Sequence, residues 1–224
     1  MSKTTPEHGD DITTIFDIEV PVPTAEGKLL SRSDDLRTNV YLYAGGWDAY
    51  AESYKRAADQ LVLDVVEGRL VGSEADFVAI PVISLYRQSL ELRLKELATE
   101  YGGVPVSEVI THSLSTVWRH VRPLLEAHFG ASEYDDIIEN RVKEWDDLDP
   151  GSYAFRYPVK KSGEPFRSTN ENVDLLQLRE IMAGIASYLD GASTGLYEHR
   201  QAQSDMYAEY ASQMAAAMRQ YNHP

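Results

Sequence analysis

From residue 47 onward the apolar residues of this chain recur every three or four positions, the spacing of one face of a helix. Tyr50, Tyr54, Ala57, Leu61 and Val65 predict a first helix over 47–67, and Gly68 and Gly72 allow a turn after it. Ser73, followed by Glu74 and Asp76, marks a second start, with acids in the first turn where the helix dipole favours them. That helix contains AIPVISLYRQSLELRLKELA, residues 79–98. Ile83, Tyr86, Leu90, Leu94 and Leu97 form one wide apolar arc, with Leu85 and Leu92 as a strip on roughly the other side. A helix apolar over most of its circumference belongs at the centre of a bundle. Pro81 either begins or kinks this segment, and Gly102, Gly103 and Pro105 end it.

His112 or Ser113 opens the next helix, whose apolar face is Leu114, Val117, Val121, Leu124 and Leu125. Pro123 within it predicts a kink and Gly130 a stop. Residues 132–145 follow, with Ile137, Ile138, Val142 and Trp145 on one side. Asn170 or Asn172 then caps NVDLLQLREIMAGIASYL, and a last helix over 194–221 is rich in Ala, Tyr, Met and Gln. Its modest apolar content predicts that it packs on a partner or extends outward.

Two stretches lose the helical period. Residues 13–46 hold short β-like pieces: TTIFDIEVPVP, stopped by Pro21 and Pro23, and NVYLYAGG, ending at Gly45 and Gly46. Residues 149–171, DPGSYAFRYPVKKSGEPFRSTNE, read as an extended aromatic insertion, a hairpin or ordered loop with its turn at 160–163. The expected fold is therefore all-α. A disordered stretch, 1–12, and a β-like segment packing on the bundle, 13–46, precede a helical bundle over 47–193. A C-terminal helix covers 194–224.

Composition narrows the chemistry. The 224 residues include no cysteine, which removes disulfides, thiolate metal sites and a cysteine nucleophile. No apolar run reaches the length of a membrane span, and the polar, acidic start MSKTTPEHGDD is unlike a leader, so a cytoplasmic protein away from membranes is expected. Lys and Arg number 21 against 36 Asp and Glu, a net charge of −15 that opposes nonspecific binding to nucleic acid or anionic lipid. Asp135, Asp136, Asp146, Asp147 and Asp149 have no histidine at helical spacing to join them, so they read as solvated surface acids. No metal and no other cofactor is expected.

Taken in order, PVISLYRQSLELRLKELA, HSLSTVW, DPGSYAFRYPVKKSG and VDLLQLREIMAGIASYL resemble bacterial proteins of the HEPN-like superfamily, over roughly residues 50–190. The resemblance implies a HEPN-like bundle of four or five helices, often dimeric. Many members act on RNA in toxin, defence or stress systems, and others serve as noncatalytic partner modules. Catalytic members carry an Arg, then a polar residue, then a His after four to six intervening positions. The matching pair here is Arg122 and His128, with five residues between them and Pro123 where the family prefers a polar side chain. On that implication His128 would act as acid or base, and Arg122 would stabilise a phosphate.

Three further groups carry possible binding chemistry. Arg87, Glu91 and Lys95 are spaced four apart, which suits a buried ion-pair ladder or a polar site inside the bundle. His112 stands at a helix start, as a packing group or as a neutral histidine in a pocket near Arg87. Arg156, Lys160, Lys161 and Arg167, interleaved with Tyr153, Phe155 and Tyr157, form a basic-aromatic patch able to stack bases and hold phosphates, or a structural hairpin. Three functions stand open: a HEPN-like component of a bacterial defence or toxin-type system acting on RNA within an assembly; a noncatalytic binding or dimerisation module; and a small-ligand-binding bundle using Arg87 and His112. An enzyme of this kind would be a metal-independent endoribonuclease. A homodimer or a partner protein is expected, with RNA among the candidate partners.

Overall fold

The computed structural model describes residues 28–42, 45–166 and 171–221. The chain divides into two units, one up to Tyr43 and one from Ala44. The described part of the first is irregular. Its order is local: Asp35 accepts from the Arg37 backbone N–H at 3.0 Å, and Asn39 accepts from Ser33 N–H at 2.8 Å. TTIFDIEVPVP lies outside the described residues. NVYLYAGG was expected as a strand, but residues 39–42 and 45–46 form none. Val40, Tyr41 and Leu42 are exposed there, and no described residue pairs with them as a strand.

The second unit is helical: α1 (Trp47–Val66), α2 (Ser73–Glu96), α3 (Val106–Val109), α4 (Leu114–Phe129), α5 (Glu133–Leu148) and α6 (Leu175–Tyr221). No strand occurs among the described residues. α1 and α2 form a hairpin closed at Gly72, whose φ of 57° suits glycine. α2 is the central helix its sequence predicts. Val82, Tyr86, Leu90 and Leu94 on one arc and Leu92 on the other are all buried. Its last turn widens into a π-helix over Leu97–Tyr101 before Gly102 ends it.

The caps are local and legible. Ser113 accepts from Thr116 N–H at the start of α4. Ser132 and Asp135 form a reciprocal capping box at the start of α5. The apolar core joins Val62 of α1, Tyr86 of α2, Val117, Val121 and Leu125 of α4, Val142 and Trp145 of α5, and Leu189 of α6.

α6 differs most from expectation. The two helices expected at its ends are one helix of 47 residues, about 70 Å long at 1.5 Å per residue. Gly191 and Gly195 do not break it. Gly195 lies against Phe129, where an added Cβ would stand 3.0 Å from the ring, so this glycine lets α6 pass the end of α4. Of the two forms expected for the 149–171 insertion, its described residues take the ordered loop. A tight turn over 160–163 is closed by one antiparallel bridge, Val159 to Pro165, and Phe155 drops into the core.

Candidate functional site

The ladder on α2 is the buried end of a larger ionic cluster. Arg87 is 1% exposed and Glu91 1%. Arg87 donates to Glu91 Oε2 at 3.0 Å and to the His112 carbonyl at 2.6 Å, and its Nε faces Asp149 Oδ2 at 3.6 Å without a hydrogen bond. Lys95 donates to Glu91 Oε1 at 2.7 Å. His112 sets Nδ1 3.2 Å from Oε1 and 3.3 Å from Oε2 of the same carboxylate. Burial pushes the Glu91 carboxyl up, but the hydrogen bonds and charges of Lys95 and His112 outweigh it and hold the group below its ordinary value.

Asp149 completes the cluster by accepting from Tyr153 N–H at 2.7 Å and Ala154 N–H at 3.0 Å. It thereby shapes the turn that follows α5, where Ser152 takes a φ of 58°. Beside it Asp146 caps α4 from outside, accepting from the backbone of Leu114 at 2.8 Å and Ser115 at 2.9 Å and from the Ser113 hydroxyl at 3.1 Å. The reading of the five acids as surface groups holds for exposed Asp136 and Asp147 and needs correction for the other three. Asp135 and Asp149 are buried, and Asp146 is only partly exposed. Local spacing marks only the capping role of Asp135; the partners that draw these acids inward lie about 30 to 60 residues away in sequence.

The structure thus brings Arg87, Glu91, Lys95 and His112 together with the 149–154 turn. Their charges cancel, and each polar group faces another within the fold. The cluster ties α2, the entry to α4 and the exit of α5 into one unit, and the His112 side chain alone reaches partly into solvent. Two cavities, of about 410 Å³ beside Trp118 and Arg119 and about 400 Å³ beside Trp47 and Tyr50, include neither Arg87 nor His112.

The basic-aromatic patch separates into an inner and an outer part. Arg156 turns back on its own loop, donating to the Ser152 carbonyl and lying 5.2 Å over the Tyr153 ring. Tyr153 and Tyr157 are exposed, and Lys160 lies 4.0 Å from Glu164 at the tip, next to exposed Lys161. Arg167 lies outside the described residues.

Arg122 and His128 fall on α4 but meet different partners. Arg122 Nε reaches Glu126 at 2.7 Å, one terminal nitrogen reaches Asp136 at 2.8 Å, and the other pairs with Glu139. These three carboxylates raise its pKa well above the ordinary arginine value. A guanidinium engaged this way has no free fork for a phosphate. His128 places Nδ1 2.9 Å from the Leu124 carbonyl and stands edge-on to His199 at 5.4 Å.

The feature that sequence reading only touched lies on α6. Met182, Ile185, Leu189, Ala192 and Leu196 bury one face of it in the core. Arg200 makes a further contact with the bundle, donating to the Glu100 carbonyl and lying 4.9 Å over the Tyr101 ring. From Tyr197 to Arg219 every residue is exposed. At about 100° per residue, Arg200, Gln203, Tyr207, Tyr210, Met214 and Met218 fall in the same ~80° arc as the five buried residues. The buried face continues outward with no described residue of the second unit buried against it. Comparison with family models, curated proteins and solved structures returned no match.

Proposed function

We propose that this chain is a noncatalytic helical-bundle module that works by association, and that the distal half of α6 is its association surface. The observation that carries this reading is the stripe on one face of α6, buried from Met182 to Leu196, crossed by Arg200 and Gln203, and exposed and apolar again at Tyr207, Tyr210, Met214 and Met218. Tyr207 is 74% exposed, Met206 66% and Tyr210 63%. A helix that keeps its apolar face outside its own core is suited to burying that face elsewhere. Residues 201–221 contain no glycine, proline or β-branched residue, so helix propensity helps the segment stand out from the bundle.

The resemblance to HEPN-like bundles enters as a proposal about the lineage of the fold, with the noncatalytic members as its nearest functional analogy. The RNA-cutting alternative draws no support from Arg122, whose guanidinium is taken up by three acids; the His128 contact to the Leu124 carbonyl engages only Nδ1 and does not bear on it. The test is direct. Purified protein should leave labelled total RNA intact, and Arg122→Ala and His128→Ala should behave as the wild type does. Cleavage that both substitutions abolish would overturn the noncatalytic reading.

A further inference from the structure

We infer that the occupant of the bare α6 stripe is a second copy of this chain, bound antiparallel through residues 203–218. This rests on the association reading above and names its partner. The first argument is charge. Among residues 201–221 only Asp205, Glu209 and Arg219 are charged, and at about 100° per residue all three lie on the side away from Tyr207. The flanks of the stripe carry Ser204, Met206, Ala208, Ala215 and Ala217. Such a face offers no ionic handle to a charged partner, and an identical face can approach it without repulsion.

The second argument is area. Met206, Tyr207, Tyr210, Met214 and Met218 are each between 45% and 74% exposed. Side chains of this size bury on the order of 100 Å² or more each when covered. Two copies would bury roughly 1,000 Å², at the lower bound for a specific interface.

Orientation follows from charge and volume together. The rest of the chain carries nearly all of the net −15, since residues 201–221 contribute two acids and one base. A parallel pair sets two acidic bodies side by side, and an antiparallel pair holds them at opposite ends of the two-helix rod. Parallel, in-register pairing also stacks Tyr207 on Tyr207 and Tyr210 on Tyr210. Antiparallel pairing centred on Ser212 sets Tyr207 against Ala217 and Tyr210 against Met214, so that no tyrosine meets its own copy. Tyr207 and Met218 are eleven residues apart, ~20° past three whole turns at 100° per residue, so over the exposed segment the stripe turns by only that much.

The experiment combines mass and distance on the full chain. Sedimentation should give twice the monomer mass of 25.2 kDa. A Tyr207→Glu, Tyr210→Glu double variant should sediment as a monomer with unchanged circular dichroism in the bundle. Because the chain has no cysteine, Gln201→Cys takes a single spin label. Pulsed electron resonance should then report a label separation of about 33 Å along the helix axis. A parallel pair would instead bring the labels to about one interaxial distance, ~10 Å plus the label arms, and would overturn the orientation. A monomer at every concentration overturns the second-copy inference, and so does a dimer that survives the double variant. The noncatalytic reading falls on a separate result, RNA cleavage that depends on Arg122 and His128.

Discussion

Arg87 shows how one side chain can hold three segments. It is nearly inaccessible, and its donors serve Glu91, the carbonyl of His112 and, at longer range, Asp149. Removing it leaves two buried carboxylates short of a cation. Arg87→Met should cost about 3–5 kcal/mol in urea unfolding, because breaking a buried pair is expensive even where forming it gains little. Asp146→Ala should cost about 1–2 kcal/mol by uncapping α4, with no loss of helix elsewhere. Glu91 and Glu96 respond to pH in opposite senses. Glu91 is held below its ordinary value of 4.5, so its contribution is present above that value and is lost as pH falls through the depressed pKa. Burial dominates at Glu96 and lifts its pKa above 4.5 despite Arg93 and Ser193. The stability tied to its proton is present below 4.5 and lost as pH rises through the raised value. Glu96→Gln should therefore gain on the wild type as pH increases, which urea midpoints at several pH values would show. A constant difference would contradict the assignment.

At the scale of elements, what the sequence made visible is what is encoded locally. Ser113, Ser132 and Gly130 mark helix ends through groups within a few residues, and the two apolar strips of α2 follow from its period alone. The ionic pairing of Arg87 with Glu91 is equally local, one turn apart. The long-range anchors were not legible, because Asp146 capping a distant backbone, Asp135 accepting from the Tyr188 hydroxyl and Asp149 facing Arg87 all look in sequence like surface acids. The join within α6 was obscured by Gly191 and Gly195. A glycine inside a helix costs only about 1 kcal/mol relative to alanine, and packing of Leu189, Ala192 and Leu196 on the core overrides it. The N-terminal NVYLYAGG has strand-like composition but no strand partner among the described residues. The distal part of α6 contributes nothing to the core, so ending the chain at Arg200 should leave the bundle's Tm within about 2 °C of the full chain. A large drop would mean that residues 201–221 stabilise the bundle from outside.

For the molecule as a whole, the described helices form a bundle whose buried charges are spent on holding it together and whose one long helix carries an apolar face past the bundle's edge. No helix among the described residues is long and apolar enough to cross a membrane, so that face is not a span. Its chemistry suits a second helix of the same kind. The central claim is that this face is covered when the protein associates, and hydrogen exchange tests it most directly. Amides of residues 203–218 should exchange fast in dilute protein and slow progressively as concentration rises, while those of Val117 to Leu125 in the core stay protected throughout. Fast exchange of 203–218 that does not change with concentration would contradict the account.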